Sequence, residues 1–252
     1  MSERGKTESS SASGTLSLFS DVHGNRLALE AVFADLEAQG ITRAYCLGDL
    51  VGYGPDPNGV IDVLRSHGIE SLLGNYDEGV AWETGDCGCF YPDAEAERIG
   101  AASYAFTVAA VTVERKAYLR TLPRELHVDF AGKKIHLVHG SPRRINEYLL
   151  RDRDERTYHR LAAVESDDVL AFGHTHDPWF RTYGKTLFVN VGSVGRPKDG
   201  DHRPMYVVLR PSLEGTMDVE IKRVEYDVEA AAEAIVAVGL PPALADMLRR
   251  GN

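Results

Sequence analysis

Three segments with the composition of β-strands alternate with two segments of helical periodicity near the start of the chain. The strand-like segments cover residues 15–20, 43–47 and 69–73, and the helical ones cover 26–39 and 57–67. This alternation constrains the fold more than any other feature, because it is typical of parallel strands connected by helices. It predicts an α/β fold that begins at Thr15.

The second half of the chain is richer in strand patterns. Residues 125–130 and 134–138 flank the sequence AGKK and are typical of a hairpin, and further strand patterns follow between residues 169 and 224. Helical patterns cover residues 153–164 and the stretch that begins at Val228. We therefore expect more than one sheet, covered by helices.

The domain organisation follows from composition along the chain. The first 14 residues are polar and Ser-rich, and they lack the apolar segment of a signal peptide. We expect a disordered tail over residues 1–14 and a single domain over residues 15–252. An Ala-rich helical stretch over residues 93–119 predicts a helical lid inserted near residues 78–120.

Composition and charge exclude several classes of protein. With 43% hydrophobic and 26% charged residues, the chain does not resemble a disordered protein, a coiled coil or a collagen. No apolar run is long enough to span a bilayer. The three cysteines are too few for a disulfide framework, so we expect a reducing, cytoplasmic location.

The formal net charge of −10 bears on possible partners. Proteins that bind nucleic acid without sequence preference neutralise phosphates with Lys and Arg, so strong nucleic-acid binding is not expected. Docking on an anionic membrane is disfavoured for the same reason. A small anionic substrate remains compatible, because a local positive site can outweigh a distant net charge. Self-association is left open.

Side chains that can bind a metal follow five of the strand-like segments. Ligands of open α/β sheets bind at the carboxyl ends of strands, so these side chains are expected to converge. Each stands beside a glycine or in a short turn, where the backbone can approach a ligand. The candidates, in chain order, are Asp21, His23, Asp49, Asn75, His139, His174 and His176.

The donor types indicate which metals fit. Four imidazoles, two carboxylates and one amide oxygen suit Mn, Fe, Ni, Co or Zn better than Ca. Seven protein groups exceed the needs of one ion, so they predict two ions that share a bridging ligand. Two such ions, about 3.5–4 Å apart, can hold a hydroxide that attacks phosphorus in line.

Five short motifs carry a resemblance to a known family. Asp-x-His, Gly-Asp, Gly-Asn-x-Asp, His-Gly and Gly-His-Thr-His occur in this order between Ser17 and Arg203. In this the chain resembles the calcineurin-like metallophosphoesterase superfamily, and most closely its small phosphodiesterases of the YfcE type. The resemblance implies a four-layer sandwich of two packed mixed β-sheets flanked by helices.

The resemblance also implies how the ligands divide. One metal would be held by Asp21, His23, Asp49 and His176, and the other by Asp49, Asn75, His139 and His174. Asp49 would bridge the two ions. Mn is the expected metal, with Fe, Ni, Co or Zn as alternatives.

Tyr76 departs from the commonest pattern of the superfamily, in which the third motif reads Gly-Asn-His. That His protonates the leaving alkoxide, whereas a phenol with a pKa of about 10 is a poor general acid at neutral pH. We still expect the Tyr76 hydroxyl to contact substrate phosphate. Small phosphodiesterases of the superfamily often lack the His, which favours a diester substrate.

Further candidates are weighed against ordinary structural roles. We expect Asp49, Asn75, Tyr76 and His139 to be catalytic, and substrate phosphate to be bound by Tyr76, Arg143, Arg144, Arg196 and Lys198. Solvation at the surface is the alternative for each cation. Cys87 and Cys89 have no matching pair for a zinc site. They are expected to pack, or to line the substrate pocket if their turn lies above the metals.

The sequence therefore predicts a dimetal phosphodiesterase in which a metal-bridging hydroxide attacks phosphorus. A phosphomonoesterase of the same superfamily, acting on a phosphoprotein or a nucleotide, is the alternative, and Tyr76 counts against it. A non-catalytic scaffold that keeps the fold is a third hypothesis. Such proteins typically lose ligands, and the candidate ligand set here is complete.

Overall fold

The computed structural model describes residues 14–252, which form ten strands and eight helices. All but the last residue of the predicted tail, 1–14, lies outside the described residues. The strands are β1 (Leu16–Phe19), β2 (Ala44–Cys46), β3 (Glu70–Ser71), β4 (Glu125–Phe130), β5 (Lys133–Val138), β6 (Val169–Phe172), β7 (Trp179–Tyr183), β8 (Thr186–Asn190), β9 (Met205–Pro211) and β10 (Met217–Arg223). The helices are α1 (Arg26–Ala38), α2 (Pro57–Ser66), α3 (Asn75–Trp82), α4 (Ala94–Ala110), α5 (Val113–Leu119), α6 (Glu155–Val164), α7 (Val228–Ala237) and α8 (Pro242–Arg250).

The strands form two five-stranded mixed sheets. The first sheet has the order β10-β9-β1-β2-β3, in which β1, β2 and β3 run parallel and the β9–β10 hairpin is added antiparallel. The second has the order β4-β5-β6-β8-β7, with parallel β5, β6 and β8 at its centre. The α/β pattern predicted for the start of the chain therefore builds only one side of the first sheet.

Apolar side chains from both sheets fill the space between them. Leu16 and Leu18 of β1 pack there against Ile135 and Leu137 of β5 and Val169 of β6. Alternate residues of a strand point to opposite faces, so the neighbouring residues face the helices. The central strands are consequently buried on both faces, as is typical of parallel strands.

Helices cover the outer face of each sheet and complete a four-layer sandwich, which confirms the predicted fold class. Phe19 of β1 and Val208 of β9 pack against α1 and α2 on one side. On the other side, Phe172 of β6 and Phe188 of β8 pack against Tyr158 of α6. Within the described residues, no helix combines the length and apolarity needed to cross a membrane.

Helix starts are encoded locally. Asn25 and Asp56 cap α1 and α2 by accepting hydrogen bonds from Ala28 N at 3.1 Å and Gly59 N at 2.8 Å. The sequence pattern did not predict α3, which begins directly after Gly74. Its start depends on Asp77, whose carboxylate accepts from Gly74 N at 3.0 Å.

Helices α4 and α5 cover most of the predicted lid segment. Ile99 of α4 packs with α7 and α8 in an apolar cluster separate from the sheets. A lid function for this segment stays a prediction.

Candidate metal centre

The candidate ligands lie at the carboxyl ends of strands from both sheets. Asp21 and His23 follow β1 and Asp49 follows β2 in the first sheet, while His139 and the His174–His176 segment follow β5 and β6 in the second. Asn75 is the first residue of α3 and lies four residues after the end of β3. The carboxyl ends of parallel strands lie at a common edge of the sheet, so side chains that follow these strands lie close together. All seven are buried.

One group consists of Asp21, His23 and His176. The Nε2 atom of His176 lies 3.2 Å from Oδ1 of Asp21 and 3.1 Å from Nε2 of His23. The His23 Nε2 atom lies 3.6 Å from the same Asp21 oxygen. Three donor atoms within reach of one another can hold a single ion.

A second group consists of Asp49, His139 and His174, with Asn75 beside it. The Nε2 atom of His139 lies 3.4 Å from Oδ2 of Asp49 and 2.9 Å from Oδ1 of Asn75. The composition of this group matches the second set of ligands that the family resemblance implies.

Asp49 lies between the two groups. Its Oδ2 atom is 3.4 Å from Nε2 of His139 in one group and 3.7 Å from Nε2 of His23 in the other. Its Oδ1 atom accepts a hydrogen bond from Tyr76 N at 2.8 Å, which fixes the orientation of the carboxylate. The side chain is thus positioned to serve both groups.

Backbone carbonyls orient the imidazole rings. The Nδ1–H groups of His23, His139 and His176 donate to Val51 O at 3.0 Å, Leu47 O at 2.8 Å and Arg196 O at 2.6 Å. A hydrogen bond at Nδ1 leaves Nε2 free to bind a metal, and such contacts are a regular feature of metal-binding histidines. The rings are therefore held in a ligand-competent orientation by the fold itself.

Backbone strain is concentrated at the same positions. Asp21, His23, Asp49, His174 and His176 all have positive φ, between 48° and 66°. Left-handed backbone in a residue with a Cβ costs on the order of 1–2 kcal/mol. Strain of this kind persists only where the surrounding structure enforces it, and it clusters at functional sites.

The electrostatics of the centre favour a cation. Burial opposes a charge on His139, but the Asp49 carboxylate outweighs it and raises the pKa of His139 to about 9. Burial lowers the pKa of His174 and of His176 to about 3, so these rings are neutral.

Two buried polar atoms of the centre have no hydrogen-bond partner among the described residues: Oδ1 of Asp21 and Nε2 of His174. Buried polar atoms are almost always paired, and an unpaired one calls for an explanation. Both atoms belong to the ligand groups, and both can bind a divalent ion. The donor set and these unpartnered atoms fit a metal centre.

A cavity of about 370 Å³ opens onto the centre. His23, Asp49, His174 and His176 form its base. Three further parts of the chain form its walls: residues 89–100, Tyr148, and the end of the chain from Met247 to Asn252. The segment predicted as a lid therefore contributes one wall.

Arg196 and Lys198 line this cavity, as expected from their loop. The Nε atom of Arg196 is buried without a partner in residues 14–252, and its guanidinium lies 4.3 Å from the centre of the Tyr53 ring. Lys198 is exposed as a whole residue and is part of the cavity lining. Burial of its ammonium group, together with the charge of Arg196, lowers the pKa of Lys198 to about 8.

Two aromatic residues at the site were not predicted from the sequence. The Tyr53 ring lies edge-on to His23, with ring centres 4.9 Å apart, and the Tyr148 ring lies 4.2 Å from His174. Both line the cavity. Tyr53 stands in a Gly-rich turn after β2, which was the one available signal, whereas no local pattern marks Tyr148.

The structure does not bring the Tyr76 hydroxyl, predicted to contact substrate, to the described lining of the cavity. Tyr76 is fully buried, and its hydroxyl lies 2.9 Å from Oγ of Ser103 in α4. Only its main chain serves the centre, through the hydrogen bond to Asp49. The direction of α3 after Asn75 turns the phenol into the helical layer.

The structure does not bring Arg143 or Arg144, both predicted to bind substrate phosphate, to the described lining of the cavity either. Arg143 forms a two-point ion pair with Glu147, which also accepts from Oγ of Ser141 at 2.5 Å. Arg144 is exposed, and its carbonyl accepts from Ser141 N at 3.0 Å. Proximity in sequence to His139 did not bring these guanidinium groups to the centre.

The Cys87-Gly88-Cys89 turn lies against the centre. The side-chain amide of Asn75 donates to Cys87 O at 2.8 Å and to Cys89 Sγ at 3.3 Å. Cys89 lines the cavity, while Cys87 is buried. Of the two roles expected for this turn, packing applies to Cys87 and pocket lining to Cys89.

Comparisons with known proteins agree with this geometry. A family model described as the calcineurin-like phosphoesterase superfamily domain matches residues 15–212. The chain is 31% identical over 254 residues to the uncharacterized protein MJ0912 of Methanocaldococcus jannaschii, covering 94% of this chain and 98% of the relative.

Two crystal structures are similar over almost the whole chain. A metallophosphoesterase from Sphaerobacter thermophilus is 27% identical with a TM-score of 0.78, covering 95% of this chain and all of the other. The hypothetical protein PH1004 from Pyrococcus horikoshii OT3 is 24% identical with a TM-score of 0.81, covering 94% and 98% of the two chains. The second likeness concerns the fold alone.

Proposed function

The chain belongs to the calcineurin-like phosphoesterase superfamily, and on that premise we propose that it is a phosphodiesterase dependent on two divalent metal ions. The superfamily predicted from the five motifs is confirmed. The observation that carries the proposal is the position of Asp49 between two buried ligand groups.

We assign one ion to Asp21, His23, Asp49 and His176, and the other to Asp49, Asn75, His139 and His174. Contacts within each group support this division, as do the unpartnered atoms of Asp21 and His174. Divalent ions supply activation of water and neutralisation of charge on a phosphoryl group. The mixed nitrogen and oxygen donors favour Mn²⁺, with Fe, Ni, Co or Zn as alternatives.

Cations at the cavity wall support a phosphate ester as substrate. Arg196 and Lys198 line the cavity, and a guanidinium group can bind two phosphate oxygens at once. The edge of the Tyr53 ring contacts His23 while its face contacts Arg196, so it helps to hold both groups in place. The rest of the substrate would occupy the space between Tyr148 and residues 89–100.

The lack of a proton donor at Tyr76 supports a preference for diester substrates. Its phenol is bonded to Ser103 and does not reach the cavity, so the third motif supplies no proton to a leaving alkoxide. The family resemblance implies that enzymes lacking this donor hydrolyse diesters. The position of the Tyr76 phenol outside the cavity therefore argues against a phosphomonoesterase more strongly than the pKa of a phenol does.

Hydrolysis of bis-p-nitrophenyl phosphate with added Mn²⁺ tests the proposal. We expect turnover by the unaltered chain and a loss of at least about 100-fold in Asp49→Asn, a lower bound taken from the effect of disturbing groups that merely support metal ligands. Asp129→Asn, an exposed aspartate on β4, is the matched control and should keep full activity. Equal rates in the unaltered chain and Asp49→Asn would contradict the assignment.

The alternative functions give distinct results. Faster hydrolysis of p-nitrophenyl phosphate than of the diester, with the same metal, would favour the phosphomonoesterase. Absence of metal binding by calorimetry would favour the scaffold, but the seven candidate ligands are all present and buried. A cytoplasmic location stays a prediction of the composition.

A further inference from the structure

Two histidines outside the candidate centre face each other across a hairpin. His127 of β4 is directly opposite His136 of β5 in the antiparallel register. Their rings are stacked, with centres 4.3 Å apart and planes 20° from parallel. Side chains directly opposite in adjacent strands share one face of the sheet, so both rings present their nitrogens to the same region.

A carboxylate holds each ring at Nδ1. His127 Nδ1 lies 2.6 Å from Oδ2 of Asp167, and His136 Nδ1 lies 2.9 Å from Oε2 of Glu165. Both carboxylate side chains are buried, with exposures of 6% and 7%. Metal-binding histidines regularly donate one ring N–H to a carboxylate, which fixes the tautomer and leaves the other nitrogen to bind.

Glu125 supplies a third donor next to the two rings. Its Oε2 atom lies 3.2 Å from Nε2 of His136. One ligand atom from each of Glu125, His127 and His136 lies within 4.8 Å of the other two. Donors bound to one Zn²⁺ at about 2.0–2.2 Å must lie within about 4.4 Å of one another, so a small side-chain adjustment suffices.

The position is accessible and negatively charged. The side chains of Glu125 and His127 are 54% and 55% exposed, which leaves room for water to complete a coordination shell. Three carboxylates, those of Glu125, Glu165 and Asp167, surround the two imidazoles, and they outnumber the two guanidinium groups of Arg143 and Arg160 that line the same cavity. A divalent cation would balance this charge better than the neutral rings do.

We propose that Glu125, His127 and His136 bind a divalent transition-metal ion such as Zn²⁺ at a site separate from the phosphoesterase centre. Glu165 and Asp167 act as positioning residues, because each holds one ring through Nδ1. The bound ion would tie the β4–β5 hairpin to the connection between α6 and β6. Ion pairs between protonated rings and the same carboxylates are the competing explanation.

Equilibrium dialysis against Zn²⁺, followed by metal analysis, tests the site in the full chain. At a free concentration on the order of 10 μM, suited to a site of micromolar affinity, we expect one more Zn²⁺ per chain in the unaltered protein than in His127→Gln. His67→Gln, which removes an exposed histidine on α2, is the matched control and should bind as many ions as the unaltered protein.

Two further measurements test the role of Asp167 and the independence of this site from the phosphoesterase centre. Asp167→Asn should keep the ligands but weaken Zn²⁺ binding at this site by about 10–100-fold. His127→Gln should hydrolyse bis-p-nitrophenyl phosphate with Mn²⁺ at the unaltered rate, which separates this site from the proposed function. Equal Zn²⁺ content in the unaltered protein and His127→Gln overturns the proposal and favours the ion pairs.

Discussion

The backbone N–H of Tyr76 donates a hydrogen bond to Oδ1 of Asp49 at 2.8 Å, which leaves Oδ2 of Asp49 facing His23 and His139. The first turn of α3 thus positions the candidate bridging carboxylate through its main chain. The Tyr76 side chain takes no part, because its hydroxyl lies 2.9 Å from Ser103 in the helical layer. The main chain of Tyr76 orients Asp49, whereas its side chain packs in the helical layer. Substitutions can test these two roles independently.

Replacement of the Tyr76 hydroxyl should affect stability and leave activity intact. We expect Tyr76→Phe to retain phosphodiesterase activity within about twofold, because the hydrogen bond from Tyr76 N to Asp49 is unchanged. Loss of the buried contact with Ser103 should lower the free energy of unfolding by about 1 kcal/mol. Urea unfolding and steady-state kinetics on one preparation would check both. A large fall in kcat without unfolding would restore a catalytic role to the phenol.

Arg196 and Arg143 provide a matched pair of cations. Arg196→Ala should raise KM for the diester about tenfold or more, because a hydrogen bond to a charged group contributes about 1.5–3 kcal/mol. Arg143→Ala should leave KM unchanged, since that side chain pairs with Glu147 and does not line the cavity. Equal effects of the two substitutions would show that general surface charge attracts the substrate.

Metal loading should stabilise the folded chain. Binding at about 100 times the dissociation constant adds about 2.7 kcal/mol to the free energy of unfolding. We expect a chelated sample to gain thermal stability on addition of Mn²⁺, measured as the midpoint of unfolding by calorimetry. Asp49→Asn should lose most of this gain. An unchanged midpoint in the unaltered chain would mean that the buried ligand groups do not bind Mn²⁺ in the folded state.

Gly74 leaves no room for a side chain beside the bridging carboxylate. A Cβ at this position would lie 2.1 Å from both N and Oδ1 of Asp49. Gly74→Ala should therefore displace Asp49 and reduce activity at least about 100-fold, comparable with loss of the ligand itself. Gly40→Ala is the control: a Cβ there meets nothing within 4 Å, and its positive φ should cost about 1 kcal/mol without affecting kinetics.

Acid should weaken the contribution of Asp201 to stability. Hydrogen bonds from Arg203 hold the pKa of the Asp201 carboxyl well below its ordinary value, against a smaller opposing effect of burial. A depressed pKa in the folded state stabilises above the unfolded pKa of about 3.9 and loses that effect as pH falls. Because the pair is partly exposed, Asp201→Asn should cost about 1 kcal/mol at neutral pH. The difference from the unaltered chain should shrink between about pH 4 and pH 2 in urea titrations; a constant difference would contradict the assignment.

The positions of the candidate ligands were predictable because they depend on local order. Each of Asp21, Asp49 and His139 lies within three residues of the end of a strand, and the carboxyl ends of parallel strands meet at one edge of a sheet. The strand and helix patterns predicted more than one sheet covered by helices, whereas the sandwich itself was implied by the resemblance to the superfamily.

The remaining features depend on the directions in which helices and loops orient their side chains in the folded chain, and sequence patterns do not predict these directions. The phenol of Tyr76 and the guanidinium of Arg143 lie close to the ligands in sequence, but the paths of α3 and the loop after β5 turn them away. Conversely, Tyr148 reaches His174 from a segment without regular periodicity. His127 and His136 could be paired only once the hairpin register was known.

The left-handed backbone at Asp21, His23, Asp49, His174 and His176 has a consequence for how this chain would respond to selection. Glycine at any of these positions would relieve conformational strain while deleting a donor atom. A library screened for heat resistance in the presence of a chelator should therefore accumulate substitutions at the candidate ligands. At these five positions a substitution that stabilises the fold would weaken metal binding, which is an example of the trade-off between stability and activity.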